Sequence, residues 1–177
     1  MELTRYGQTE ARDVRAMLLD IHDEAYVDDP NEFHSRERFA GFVDRWSSKE
    51  TWSCVIGFDE GEPVGYAYGA LFGHGAWWRG VDTPDWLTEN RRVFALSELM
   101  IVPKWRRTGA SAQVHDALVN GQDAYAVTLF VESAHPRVQA LYDGWGYRKI
   151  DECKPFEDSP LYSVMAMELS GSGSSAL

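Results

Sequence analysis

Apolar residues recur along the chain with two periods, near 3.6 and near 2, and the changes between them delimit the elements. Residues 3–6 read as a first short strand. Thr9 is then placed to cap a helix whose apolar positions Ala11, Val14, Leu18 and Ile21 share one face. Residues 22–31 are acidic and turn-rich, ending Asp28-Asp29-Pro30-Asn31, and Phe39, Phe42, Val43 and Trp46 mark a second helix. Trp52, Cys54, Ile56 and Phe58 alternate with other residues. Asp59-Glu60-Gly61-Glu62 then turns the chain, and Val64, Tyr66, Tyr68 and Ala70 alternate again, which predicts a β-hairpin.

The second half is punctuated differently. Residues 72–92 carry Gly73, Gly75, Gly80, Pro84 and the tryptophans Trp77, Trp78 and Trp86, a connection long enough to read as a functional loop or lid. Residues 95–102 are almost continuously apolar, as in a strand covered on both faces, and Pro103 stops its ladder. After Gly109, the positions Ala110, Val114, Ala117 and Leu118 predict a helix that Asn120-Gly121 ends. Residues 127–131 repeat the buried-strand pattern. Pro136 opens a helix with Val138, Leu141 and Trp145 at helical spacing, closed by Gly144-Trp145-Gly146. Residues 147–150 and 161–169 read as two closing strands, and 170–177 as a flexible tail. The order is strand, two helices, hairpin, strand, helix, strand, helix, two strands. It predicts one domain over residues 1–169, with antiparallel pairs and one βαβ-like crossover.

The best-defined unit also carries the first chemistry. Arg106, Arg107, Thr108, Gly109, Ala110 and Ser111 lie between a buried strand and a helix start, where unpaired N–H groups and the positive dipole end suit a phosphate. Gly109 removes the Cβ that would block a close approach, and the arginines can neutralise charge from the rim. No Gly-Lys-Ser/Thr follows and Gly-x-Gly-x-x-Gly is absent, which disfavours ATP and NAD.

Composition narrows the partners. A formal net charge of −11 repels polyanions, so nucleic acid and acidic membrane are excluded as expected partners and a cationic substrate is favoured. No apolar run reaches a membrane span and the start lacks a leader pattern, so the expected location is cytoplasmic. Cys54 and Cys153 read as buried thiols. His22, His34, His74, His115 and His135 show no metal-ligand spacing, so surface or helix-face roles and no metal are expected.

The segment Val102-Pro103-Lys104-Trp105-Arg106-Arg107-Thr108-Gly109-Ala110-Ser111 resembles motif A of the GNAT superfamily, Gln/Arg-x-x-Gly-x-Gly/Ala, with Ser111 departing at the last position. His135-Pro136-Arg137-Val138-Gln139-Ala140-Leu141-Tyr142-Asp143-Gly144-Trp145-Gly146-Tyr147 is similar to the family's Asn-x-x-Ala-x-x-Leu-Tyr-x-x-x-Gly-Phe signature, with His135 and Val138 replacing Asn and Ala. The resemblance implies an α/β (α+β) fold: a mixed, mostly antiparallel twisted sheet of about six to seven strands, about four helices and a splayed central parallel pair. It also implies acetyl-CoA (coenzyme A) as cofactor, with its pyrophosphate on residues 106–111, its pantetheine on the backbone of Met100, Ile101 and Val102, and His135 beside it. Tyr142 takes the family's acid position.

An alkylamine with a pKa near 10.4 is neutral to only about one part in two thousand at pH 7, so acetyl transfer to it needs a base. Strand alternation puts Glu98 on the face of Met100 and Val102, as the candidate base, with a structural acid as the equal alternative. Asp23, Glu24, Tyr26, Trp77 and Trp78 are candidate contacts for the acceptor. The expected function is N-acetylation of a primary amine on a small cationic molecule. A protein or peptide acceptor and a non-catalytic acyl-CoA sensor are the alternatives, and a homodimer is compatible with the sequence.

Overall fold

The computed structural model describes residues 1–28, 31–87 and 91–169. Among them are seven strands, hydrogen-bonded in the order β1-β2-β3-β4-β5-β7-β6, and four α-helices. The strands are β1 (Glu2–Gly7), β2 (Ser53–Asp59), β3 (Glu62–Leu71), β4 (Val93–Ile101), β5 (Ala126–Glu132), β6 (Arg148–Cys153) and β7 (Tyr162–Glu168). The helices are α1 (Ala11–Ala25), α2 (Arg36–Ser47), α3 (Ala110–Val119) and α4 (Pro136–Gly144). The sheet is mixed and mostly antiparallel, with β4 and β5 as its parallel pair. Their register runs only from Val93↔Ala126 to Ala95↔Thr128. The expected tail, 170–177, lies outside the described residues.

The chain forms two compact units. The first contains Met1–Ala70 and Leu96–Gln122, the second Leu71–Ala95 and the described residues from Asp123 onward. In the first, α1 and α2 close one face of the hairpin. Val14, Leu18, Ile21, Phe39 and Val43 pack with Trp52, Cys54, Ile56, Tyr66, Tyr68, Met100 and Val102, so the two periodicities read from the sequence meet in one apolar layer. On the opposite face α3 sets Val114 against Gly57. Arg5 reaches the carbonyl oxygens of Ala117 and Leu118, placing a cation at the C-terminal end of α3. In the second unit, Ala126, Val127, Leu129, Val164, Met165 and Ala166 are buried along the β5–β7 ladder, with Tyr142 and Tyr147 also buried.

Two local expectations are corrected. Thr9 is not the cap of α1: a 3-10 turn (Gln8–Glu10) precedes the helix, and the Glu10 carboxylate accepts the Gly7 N–H at 2.9 Å. The turn in the acidic stretch begins later than residue 22: α1 continues to Ala25, the Tyr26 N–H closes on the His22 oxygen at 3.0 Å, and the turn follows at 26–28. Of the surface or helix-face roles expected for the histidines, His22 and His115 take helix faces, on α1 and α3, and both are buried. His22 stacks on Phe39 with centroids 4.0 Å apart and planes 9° apart, and burial lowers the pKa of both imidazoles. The α4 residues Val138 and Leu141 are 42% and 41% exposed. The helix instead turns Tyr142 inward, while the Gln139 amide oxygen accepts a hydrogen bond from buried Ser163 at 3.0 Å.

Candidate active site

The end of β4 and the start of α3 carry the expected anion loop. Pro103 breaks the strand into a 3-10 turn (Pro103–Trp105), whose Trp105 N–H and Arg106 N–H donate to Val102 and Pro103 oxygens at 2.9 and 3.2 Å. From there the backbone takes a rare path. Arg107 has φ 65°, Gly109 has φ 86°, and α3 begins at Ala110. The N–H groups of Arg107, Thr108, Gly109, Ala110 and Ser111 have no hydrogen-bond acceptor among the described residues, and the first helical closure is Gln113 N–H to Gly109 oxygen at 3.3 Å. Consecutive free amides at a helix start, bent through left-handed residues, form a concavity with positive potential. A Cβ built on Gly109 would meet nothing within 4 Å, so the approach is open.

A left-handed arginine costs about 1 kcal/mol that glycine avoids. Arg107→Gly is therefore expected to be about 1 kcal/mol more stable than Arg107→Ala in denaturant melts, the reverse of their order in a helix or strand.

Two parts of the expected cradle are otherwise engaged. The Arg106 amide is already bonded, and its exposed guanidinium has protein partners: Nη2 donates to the Ala25 oxygen at 3.2 Å and Nε to the Ile101 oxygen at 3.3 Å. Val102 donates its N–H to Val64 oxygen at 3.0 Å and accepts from Trp105, so both of its backbone groups are committed to the fold. The free donors thus number from Arg107, one residue later than the motif.

Glu98 lies half-buried in the first unit. Its charge acts on Tyr66 and Tyr68, whose phenols are pushed well above their ordinary range by burial first and by neighbouring charge second. The two rings stack at 5.8 Å and 7°, and the Tyr66 hydroxyl points to the Met100 sulfur at 3.6 Å. The Tyr68 hydroxyl is fully buried without a hydrogen-bond partner; the Ser97 hydroxyl lies toward it but falls short of bonding geometry. Sequence pattern put both tyrosines in the hairpin and gave them no role. An unpartnered hydroxyl beside a carboxylate is visible only once β3 and β4 are placed together.

At the end of α1, Asp23 is tied to Arg36, which also holds Asp20 at 2.8 Å. Glu24 is exposed. Tyr26 is part of an aromatic chain, with centroids 4.9 Å from His22 and 4.4 Å from His34.

The remaining candidates belong to the second unit. Trp78 donates its indole N–H to the Thr128 hydroxyl at 3.0 Å and packs on Phe130 at 4.1 Å. Trp77 meets Phe72 edge-on at 6.0 Å, with its indole nitrogen buried and without a partner. The loop is thus fastened to β5 through Trp78. Tyr142 is buried, edge-on to Trp145 at 5.2 Å and to Tyr147 at 5.3 Å. His135 precedes α4, is 61% exposed, and lies 3.3 Å from Glu132. No group of three or more His, Cys, Asp or Glu side chains among the described residues is arranged to hold a metal. No helix among them is long and apolar enough to cross a membrane.

No protein-family model matches the sequence, and no curated protein does. Solved structures do match. The ribosomal-protein-S18-alanine N-acetyltransferase of Escherichia coli superposes with a TM-score of 0.66 at 16% identity, covering 99% of each chain. An acetyltransferase from Thermus thermophilus gives 0.64 at 16% identity, over 95% of this chain and 96% of that one. The paia N-acetyltransferase of Thermoplasma acidophilum, solved with coenzyme A, gives 0.58 at 10% identity, over 96% and 100%. The fold is therefore that of the GNAT acetyltransferases.

Proposed function

We propose that the protein is a GNAT N-acetyltransferase that moves the acetyl group of acetyl-CoA to a primary amine. The observation that carries this reading is the run of free amides from Arg107 to Ser111, opening a ten-residue helix through left-handed Arg107 and Gly109. Those donors fit the pyrophosphate of coenzyme A, which supplies a thioester-activated acetyl group when bound. The backbone of Met100, Ile101 and Val102 is the proposed seat of pantetheine, with His135 as a further contact.

The chain's own residues handle the protons. Glu98 is the proposed base: a half-buried carboxylate facing neutral phenols removes the ammonium proton, directly or through water. Tyr142 is the proposed acid for the departing thiolate. Tyr142→Phe is expected to lower kcat by roughly 10- to 1,000-fold. Its effect on coenzyme A affinity should stay within about threefold, because the ring packing against Trp145 and Tyr147 is kept.

For the acceptor, the acidic balance favours a cation. Tyr26, Glu24 and the Arg36-held Asp23 are the proposed contacts at the end of α1. A peptide amino group is the second reading, supported by the ribosomal-protein acetyltransferase among the fold neighbours. Release of coenzyme A from acetyl-CoA, followed over polyamines, aminoglycosides and peptides, tests the proposal. Turnover with one class identifies the acceptor; tight binding of acetyl-CoA with no turnover would instead establish a sensor.

A further inference from the structure

Arg106 occupies the motif position at which sequence reading assigned charge neutralisation, yet its side chain is committed elsewhere. Nη2 reaches the oxygen of Ala25, the last residue of α1, across 81 positions of sequence, and Nε reaches the oxygen of Ile101, the last residue of β4. Its backbone N–H is held by Pro103, and the next amide, Arg107, is the first free donor of the anion loop. A guanidinium is an effective ligand for a helix C-terminus: it is always charged, and its planar fork can serve two carbonyls at once.

The helix end that it holds is the one carrying the proposed acceptor contacts. Asp23, Glu24 and Tyr26 lie within three residues of Ala25. Tyr26 is in turn packed against His22 and His34 with tilted rings, so a shift of the α1 terminus is felt through that aromatic chain. The loop and the helix end thus meet in one side chain, all inside the first unit.

We infer that Arg106 is a positioning residue that couples the anion loop to the acceptor end of α1, tightening residues 22–28 when the free amides take a pyrophosphate. The inference rests on the proposed cofactor reading. Its physical basis is linkage: an anion that fixes the backbone at Arg107 also fixes the Arg106 stem, and ordering at one end lowers the entropic cost of ordering at the other. In this arrangement donor binding prepares the acceptor wall, and Arg106 contributes little to the affinity for coenzyme A itself.

Hydrogen–deuterium exchange over residues 19–28, with and without coenzyme A, tests this in the whole protein together with Arg106→Met and Arg106→Lys. Coenzyme A is expected to slow exchange at Tyr26 and Val27 in the unaltered chain roughly three- to tenfold, a coupling of ordinary size. Arg106→Met should abolish that ligand-dependent difference and Arg106→Lys restore part of it. Calorimetric affinity for coenzyme A should stay within about threefold in both variants, less than the loss of a phosphate-bound arginine would cause.

A purely structural tie would speed exchange in Arg106→Met equally with and without coenzyme A and leave the difference intact, which overturns the coupling. An affinity loss of tenfold or more with the exchange difference preserved would return Arg106 to the phosphate and also overturn it. If the unaltered chain binds no coenzyme A, the cofactor reading fails and the coupling with it. Faster ligand-free exchange in Arg106→Met would then still identify the Ala25 contact as a structural cap.

Discussion

Glu98→Gln is expected to lower kcat by roughly 100- to 10,000-fold at pH 7, and the deficit should shrink steadily as the pH is raised toward 10. The reason lies in the acceptor. With a pKa near 10.4, an alkylamine must lose a proton before its lone pair can attack, and at neutral pH this handicap is roughly 4–5 kcal/mol. A base removes the handicap where the amine is protonated and has nothing to remove where it is already free. The substitution keeps volume and polarity beside Tyr66 and Tyr68, so the apolar layer around Met100 and Trp52 is preserved. Steady-state rates across that pH range, with coenzyme A affinity measured alongside, provide the check. A loss of equal size at pH 7 and pH 10, or a loss that follows melting temperature, would make Glu98 a structural acid.

Gly65→Ala is expected to destabilise the protein by about 3 kcal/mol or more, seen as a fall in Tm of roughly 10 °C. A Cβ at position 65 would stand 2.4 Å from the Met100 oxygen and 2.9 Å from the Ile101 Cα. Both are backbone atoms of β4, held in place by the Val102 N–H to Val64 oxygen bond at 3.0 Å. No rotamer relieves the overlap; β4 has to move away from β3, and the proposed pantetheine backbone at Met100 and Ile101 moves with it. A control distinguishes close approach from simple glycine loss: Gly73→Ala meets nothing within 4 Å and should stay within about 0.5 kcal/mol. A Gly65→Ala protein as stable as the Gly73→Ala control would show that β3 and β4 are not packed so closely.

Much of the first unit was legible because its signals are local. Val14, Leu18 and Ile21 define a helix face by spacing alone, the alternation through Tyr66 and Tyr68 marked the hairpin, and Pro103 with Gly109 bounded the strand-turn-helix. The motif also located the free amides to within one residue, since Gly109 and the helix start fix where donors lose their partners. What escaped was long-range. That β7 inserts between β5 and β6 depends on which strand edges are left to pair, and short-range pattern does not encode that. Nor does the sequence give any sign that the Ala25 oxygen lies within reach of Arg106. The sequence left His22 open between a surface and a helix-face role, and only the placed Phe39 ring, stacked on it, shows why it is buried. On α4 the spacing of Val138, Leu141 and Trp145 marked the helix but not its buried face, which Tyr142 occupies while the two aliphatic residues are exposed.

The central claim is that the amides from Arg107 to Ser111 grip a diphosphate, and titration of the intact protein with coenzyme A in a calorimeter tests it most directly. The account predicts one-to-one binding in the micromolar range or tighter, about −8 kcal/mol, with affinity abolished in Gly109→Val, where a branched side chain enters both the open approach and a left-handed backbone position. An absence of heat at saturating coenzyme A, or binding that Gly109→Val leaves unchanged, would contradict it.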